Sequence, residues 1–211
     1  MAYPELFNSA RLGAIYLGTD QAGLQSVAQV NTSGGAGLGG GGSGGGGGND
    51  YQLSFTMQHQ AQNQWCWAAV SVSVSFFGSM ASVWTQCALV SDQVNDKTCC
   101  TDGTTLACDV TWYLEKALRR TNNLVDWQEG ALTGAEIVAQ LSANLAVACR
   151  IGWSDGISGH FVVITGYQND GTSETVVVDD PLYYQSQISL DEFTERYRHD
   201  GKWTHTYFTK R

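Results

Sequence analysis

Residues 34–48 contain twelve glycines, interrupted only by Ala36, Leu38 and Ser43. Glycine loses more backbone freedom on ordering than any other residue, so such a run stays a flexible coil. Fifteen residues of this composition span roughly 20–23 Å root-mean-square. The run therefore divides the chain into an N-terminal tail (residues 1–33), a glycine-rich linker (34–50) and a folded domain (51–211). The tail carries broken helical spacing through Leu6, Ala10, Leu17 and Leu24, and its role is not legible.

The 211 residues are 43% hydrophobic and 11% aromatic, enough for the core of one such domain. A net charge of -9 leaves no basic footprint for nucleic acid or an anionic membrane surface. No apolar run is long enough to span a bilayer. The opening Met1-Ala2-Tyr3-Pro4-Glu5-Leu6 lacks the basic and apolar regions of a secretory signal. The location is left open between the cytoplasm and export by a signal-independent route.

Within the folded part the texture changes once. Residues 65–78 satisfy two periods. Val70-Ser71-Val72-Ser73-Val74-Ser75 alternates like a strand, while Ala69, Val72 and Phe76 follow helical spacing, with Gly78 as a C-terminal cap. Residues 109–120 predict a helix with one apolar stripe, Asp109 at its start and Arg119-Arg120 at its end. Residues 133–144 predict another, with Thr133 and Glu136 at capping-box spacing. After residue 145 come short β-branched runs at 146–151, 160–167 and 174–179, with a turn at Asn169-Asp170-Gly171. A helix over 190–199 and a strand over 203–208 complete the chain. Helices followed by antiparallel strands describe an α+β domain, a helical half packed on a sheet.

The chemistry centres on Gln60-Ala61-Gln62-Asn63-Gln64-Trp65-Cys66-Trp67-Ala68. A cysteine becomes a nucleophile when a helix N-terminus or an imidazolium stabilises its thiolate. Cys66 in the first turn of a helix has the former, and that reading tips residues 65–78 to helix. His160 is the best source of the latter, because it follows Ser158-Gly159 at the start of an apolar strand, where small neighbours leave room for substrate. His59 is too close to Cys66 in sequence to oppose it, and His199 and His205 lack a glycine approach. Asp179 and Asp180 end the next strand before Pro181, and either carboxylate can orient the imidazole. The Gln60 side chain and the Cys66 backbone N–H can bind an oxyanion. Gln62 and Gln64 are competing amides. No cofactor and no catalytic metal are required.

Gln60 and Cys66-Trp67-Ala68-Ala69, then Gly159-His160-Phe161-Val162-Val163-Ile164-Thr165-Gly166-Tyr167, then Val178-Asp179-Asp180-Pro181, resemble the papain-like cysteine peptidases. The likeness is to their compact bacterial branch, which includes type III effector proteases of plant pathogens and, more distantly, bacteriocin leader peptidases. It covers roughly residues 55–210. The resemblance implies a papain-like fold with its active site in a cleft between helices and sheet. It implies Cys66 as nucleophile, His160 as general base and acid, and Gln60 as oxyanion donor. The family's orienting Asp directly precedes Pro, which favours Asp180, with Asp179 still open. Trp65 and Trp67 would pack where helix meets sheet and shield the ion pair. The partner implied is a protein or peptide, with the chain's own N-terminal segment as a candidate in cis.

The same constellation serves an acyltransferase of transglutaminase type, a glutamine deamidase, or a binding module on a peptidase fold. Cys87, Cys99, Cys100 and Cys108 form a group assigned to a loop. Two disulfides, a zinc site and free thiols are all compatible with it. Vicinal Cys99 and Cys100 would pair with different partners, and Cys149 reads as core.

Overall fold

The computed structural model describes residues 50–211, so the expectations for the tail and the glycine run lie outside the described residues. The chain order is β1 (Tyr51–Gln52), α1 (Cys66–Gly78), α2 (Gln86–Val94), a 3-10 turn (Lys97–Cys100), α3 (Leu114–Arg120), β2 (Leu124–Glu129), α4 (Gly134–Ser142), β3 (Val147–Gly152), β4 (Gly159–Asn169), β5 (Glu174–Asp180), β6 (Tyr184–Ser189), α5 (Leu190–Arg196) and β7 (Lys202–Thr209). The result is the expected α+β architecture. All strand pairs are antiparallel, in the order β2-β7-β3-β4-β5-β6, with β1 added beside β4.

Helix α1 is the hub of the helical layer. Every residue from Cys66 to Ser75 is buried. It packs against α2, α3 and the central strand β4. The Val–Ser alternation is compatible with this because the buried hydroxyls find partners inside the helix. Ser71 Oγ donates to the Trp67 carbonyl at 2.8 Å, and Ser73 Oγ donates to the Ala69 carbonyl at 2.7 Å. Such bonds one turn back satisfy serines that an apolar environment would otherwise penalise. Gly78 is the last helical residue, and Ser79, in extended conformation, forms the cap. The glycine is needed for space, since a Cβ there would press on Arg211 and Asn123 at 3.1 Å.

Two predicted helices are shorter than expected. Residues 109–113 are not helical, and α3 begins only at Leu114. Asp109 and Val110 instead turn their acceptors toward α1, where Gln64 N–H and the Trp67 indole reach them at 2.8 and 3.0 Å. The helix expected to reach residue 199 ends at Arg196, because Arg198 and His199 adopt positive φ (51° and 88°) in the turn toward β7. The capping box of α4 forms as read: Glu136 N–H donates to Thr133 Oγ1, and Thr133 N–H donates to Glu136 Oε2. The sequence reading had no β1, α2, β2 or β6, and Cys87 lies in α2 rather than in a loop.

The sheet holds the other half of the core. Ile164 is fully buried at its centre, paired with Val147 on one side and Val178 on the other. Gly166 sits at the bulge that follows, where a Cβ would strike the Gln52 side chain and Val177. Truncating Ile164 to alanine is expected to lower unfolding free energy by about 2–5 kcal/mol, through lost burial and the cavity left behind. Denaturant titration measures this, and an unchanged midpoint would contradict the packing described.

Candidate active site

The first residue of α1 is Cys66, 6% exposed, and no side chain caps that helix end. The opening N–H groups of a helix have no intrahelical partner and carry partial positive charge, and Cys66 sits among them. His160 is the second residue of β4 and is fully buried. Its Nε2 is 2.8 Å from Asp180 Oδ1. Nδ1 has no formed hydrogen bond among the described residues, yet the ring interacts electrostatically with Cys66.

Asp180, 2% exposed, is held on all sides. Oδ1 also accepts the Leu182 and Tyr183 amides at 2.7 and 2.9 Å, and Oδ2 accepts the Tyr197 hydroxyl at 2.8 Å. Proline at 181 has no amide hydrogen, so the carboxylate bonds the two amides after it, in the manner of an Asx turn. Asp179 faces the opposite way, as neighbours on a strand must. It accepts Thr165 Oγ1 at 2.5 Å and Gln185 Nε2 at 3.2 Å, so it is engaged away from His160.

Burial opposes a charged imidazole. The Asp180 charge and hydrogen bond, with a contribution from Cys66, outweigh it and push His160 up to about 10. Burial likewise pulls Asp180 up, but the His160 charge and hydrogen bond and the two turn amides hold its carboxyl below the ordinary value. The pair is therefore ionic at neutral pH.

Gln60 is buried, and its backbone N–H donates to the Pro181 carbonyl at 2.9 Å. This bond ties the approach to Cys66 to the turn that holds Asp180. Its Nε2 donates to the Asn63 and Gln62 carbonyls at 2.8 and 3.0 Å, while Oε1 has no partner among the described residues. Gln86 braces the same segment from α2, accepting the Ala61 amide at 2.9 Å and donating to the His59 carbonyl at 2.8 Å.

One sequence expectation changes. Gly159 does not leave space for substrate. A Cβ there would fall 2.8 Å from the Ile151 carbonyl and 2.9 Å from Arg150 Nη2. The indoles of Trp65 and Trp67 bond the carbonyls of Cys108 and Val110, so their polar edges face the loop after α2. The rings beside the ion pair are Tyr183, edge-on to His160 with centroids 6.2 Å apart, and Tyr197. The other histidines lie elsewhere in the fold: His59 stacks on Tyr184, His205 contacts Thr204, and His199 occupies the turn after α5.

Tyr197, Gln86 and the buried Arg150 escaped the sequence reading. Burial lowers the Arg150 pKa, and its charge interacts with Cys66. None of the three carries a local signal. Tyr197 sits at the end of a predicted helix, Gln86 precedes a cysteine, and Arg150 interrupts an apolar strand.

Cys87 pairs with Cys100, and Cys99 with Cys108. Asp96, Cys99 and Cys108 lie close enough to suggest a metal site, but the disulfide removes both thiolates from it. Cys149 is buried in β3, and burial pushes its thiol well up, as for a core residue. Among the described residues no helix is long and apolar enough to cross a membrane.

Residues 48–198 match the sequence model of the family described as papain-like cysteine protease AvrRpt2. No curated protein matches the chain significantly.

His160 stands above its ordinary value of 6.5, so the folded state holds the extra proton. Its contribution to stability is complete below about pH 6.5 and is lost as pH rises toward 10. Asp180 behaves oppositely, contributing above its ordinary 3.8 and losing that contribution as pH falls through its lower folded value. NMR titration of the His160 ring should find imidazolium throughout the neutral range. A midpoint near 6.5 would contradict the buried ion pair.

Proposed function

The chain belongs to the family of the papain-like cysteine protease AvrRpt2, and we propose that it hydrolyses peptide bonds through Cys66, His160 and Asp180, by way of a thioester on Cys66. The observation that carries this reading is the buried Asp180–His160 pair, whose one uncommitted ring nitrogen belongs to an imidazole that feels the cysteine at the α1 N-terminus. A cysteine peptidase of this family acts on proteins or peptides.

In the proposed sequence the Cys66 thiolate attacks the scissile carbonyl carbon. The resulting oxyanion takes hydrogen bonds from the Cys66 backbone N–H and Gln60 Nε2. His160, as imidazolium, gives its Nδ1 proton to the leaving amine, and the tetrahedral intermediate collapses to the thioester. The now neutral imidazole takes a proton from water, whose oxygen attacks the thioester. Collapse releases the acid and restores thiolate and imidazolium. Asp180 keeps the ring in the tautomer and orientation that leave Nδ1 for these transfers, and Tyr197 steadies Asp180. Gln60 Nε2 is engaged with two carbonyls of its own turn, so its service to the oxyanion requires one of those bonds to be exchanged.

Cleavage of a fluorogenic peptide library tests the reading. Cys66→Ala and His160→Ala should each lower kcat/KM by on the order of 10³-fold or more, and Asp180→Ala by less than either. Retained turnover in Cys66→Ala would refute the mechanism. Gln60→Glu, which loses the donor, should cost kcat about 10²–10³-fold with substrate binding largely kept. An unchanged kcat would remove Gln60 from the oxyanion site. Labelling of Cys66 by an electrophilic probe without peptide cleavage would favour acyl transfer or deamidation instead.

A further inference from the structure

Apart from the 3-10 turn Lys97–Cys100, the chain between α2 and α3 has no regular structure, yet it holds the start of the nucleophile helix. The Trp65 indole donates to the Cys108 carbonyl at 2.8 Å in a buried bond. Gln64 N–H donates to Asp109 Oδ1 at 2.8 Å, and the Trp67 indole donates to the Val110 carbonyl at 3.0 Å. Gly103 lies so close to the Trp65 ring that a Cβ would fall 2.8 Å from its Cη2. Gln64, Trp65 and Trp67 flank Cys66 on both sides, so the position of the sulfur and of its amide depends on this loop.

Irregular backbone does not hold such a position by itself. The loop's own bonds are short-range turns: Asp96 caps Thr98, Asp102 caps Thr104, and the Cys108 amide donates to the Thr105 carbonyl. Two disulfides supply the long-range closure. Cys99–Cys108 is buried and ends on the residue whose carbonyl holds Trp65. Cys87–Cys100 ties the loop to α2, and Cys100 is exposed. Helix α1, in contrast, is buried independently against α3 and β4, so opening the loop leaves the main core in place.

We infer that the Cys99–Cys108 disulfide is a positioning element for Cys66, so that the peptidase needs opposite redox states in one molecule: a reduced nucleophile and an oxidised latch. The inference rests on the peptidase reading above. In the opening step a thiolate of a dithiol reductant attacks one sulfur of the bridge and expels the other as thiolate. The reductant's second thiol then resolves the mixed disulfide. Two electrons pass to Cys99 and Cys108, which become thiols, and the dithiol becomes a cyclic disulfide. A small-molecule disulfide such as oxidised glutathione reverses the exchange. The exposed Cys87–Cys100 bridge opens first, and the buried one yields only to a stronger reductant.

The test uses the full chain in glutathione buffers of increasing reduction, followed by dithiothreitol. Peptide turnover, circular dichroism, alkylation of each cysteine by mass spectrometry and the rate of Cys66 labelling are read together. The expected result is a fall in kcat of about 10²-fold, the scale of an ångström of misplacement, with KM little changed. That fall should coincide with alkylation of Cys99 and Cys108, occur while the fold persists, and reverse with oxidised glutathione. Cys99→Ala/Cys108→Ala should reproduce it, and if that variant does not fold, the wild-type titration decides. Full kcat with Cys99 and Cys108 alkylated, or loss of activity only as the protein unfolds, would overturn the latch. Absence of cleavage in every redox state would count against the peptidase reading alone. In that case the latch is read from Cys66 labelling, which must slow on opening of the bridge for the inference to stand.

Discussion

The buried ionic contact between Asp180 and His160 sets the terms for the rest of the molecule. A charge pair taken out of water survives only when its remaining hydrogen-bonding capacity is met, and removing one partner from such a pair costs about 3–5 kcal/mol. Asp180 meets the requirement with four donors: the imidazole, two turn amides and the Tyr197 hydroxyl. His160 meets half of it and leaves Nδ1 without a formed bond. A buried polar atom without a partner is a standing penalty in a protein whose role is only structural. Here it is the atom that a proton-transfer step would use.

The sheet supplies the rigidity that this pair needs. His160 and Asp180 lie on adjacent strands, at the first residue but one of β4 and the last of β5. Each is held from its outer flank, His160 by pairing with Ile151 of β3 and Asp180 by pairing with Tyr184 of β6. Cys66 comes from the other layer, at the end of a helix buried along most of its length. Glycines serve this arrangement by permitting close approach. Gly159 admits Arg150 and a strand carbonyl next to His160, which brings a buried cation into the electrostatic neighbourhood of Cys66.

What was legible in the sequence was local. Cys66 between tryptophans, His160 after glycine and Asp180 before proline each carry a physical reason within a few residues. Each part of the site also lies on the kind of element that its neighbours favour. Contacts that depend on distant chain were not legible. Residues 109–113 have helical spacing, but their acceptors are claimed by Gln64 and Trp67. Period-two alternation in α1 could not by itself be told from a strand, because the internal hydroxyl bonds that resolve it exist only once the helix is buried. Tyr197 and Gln86 act across tertiary contacts, on Asp180 and on the segment beside Gln60 respectively. No spacing rule reaches them. The tryptophans illustrate the same limit: their burial was foreseeable, but their partners on the disulfide-tied loop were not.

Two seams hold the segment around the cysteine, and they differ in kind. The bond from Gln60 N–H to the Pro181 carbonyl is a single backbone contact between the approach to Cys66 and the turn that holds Asp180. It makes Gln60 and the Asp180 carboxylate respond together, because a shift of the turn after Asp180 displaces Gln60. The second seam is the set of contacts from residues 103–110 to Gln64, Trp65 and Trp67, and its closure is covalent. A hydrogen-bonded seam can adjust, which suits the oxyanion role proposed for Gln60, whose amide would exchange one of its turn carbonyls. A covalently closed seam cannot adjust in that way, which suits the side that holds the sulfur, where displacement is most damaging to reaction geometry. The division places compliance beside Gln60 and stiffness beside Cys66, on opposite sides of the same short segment.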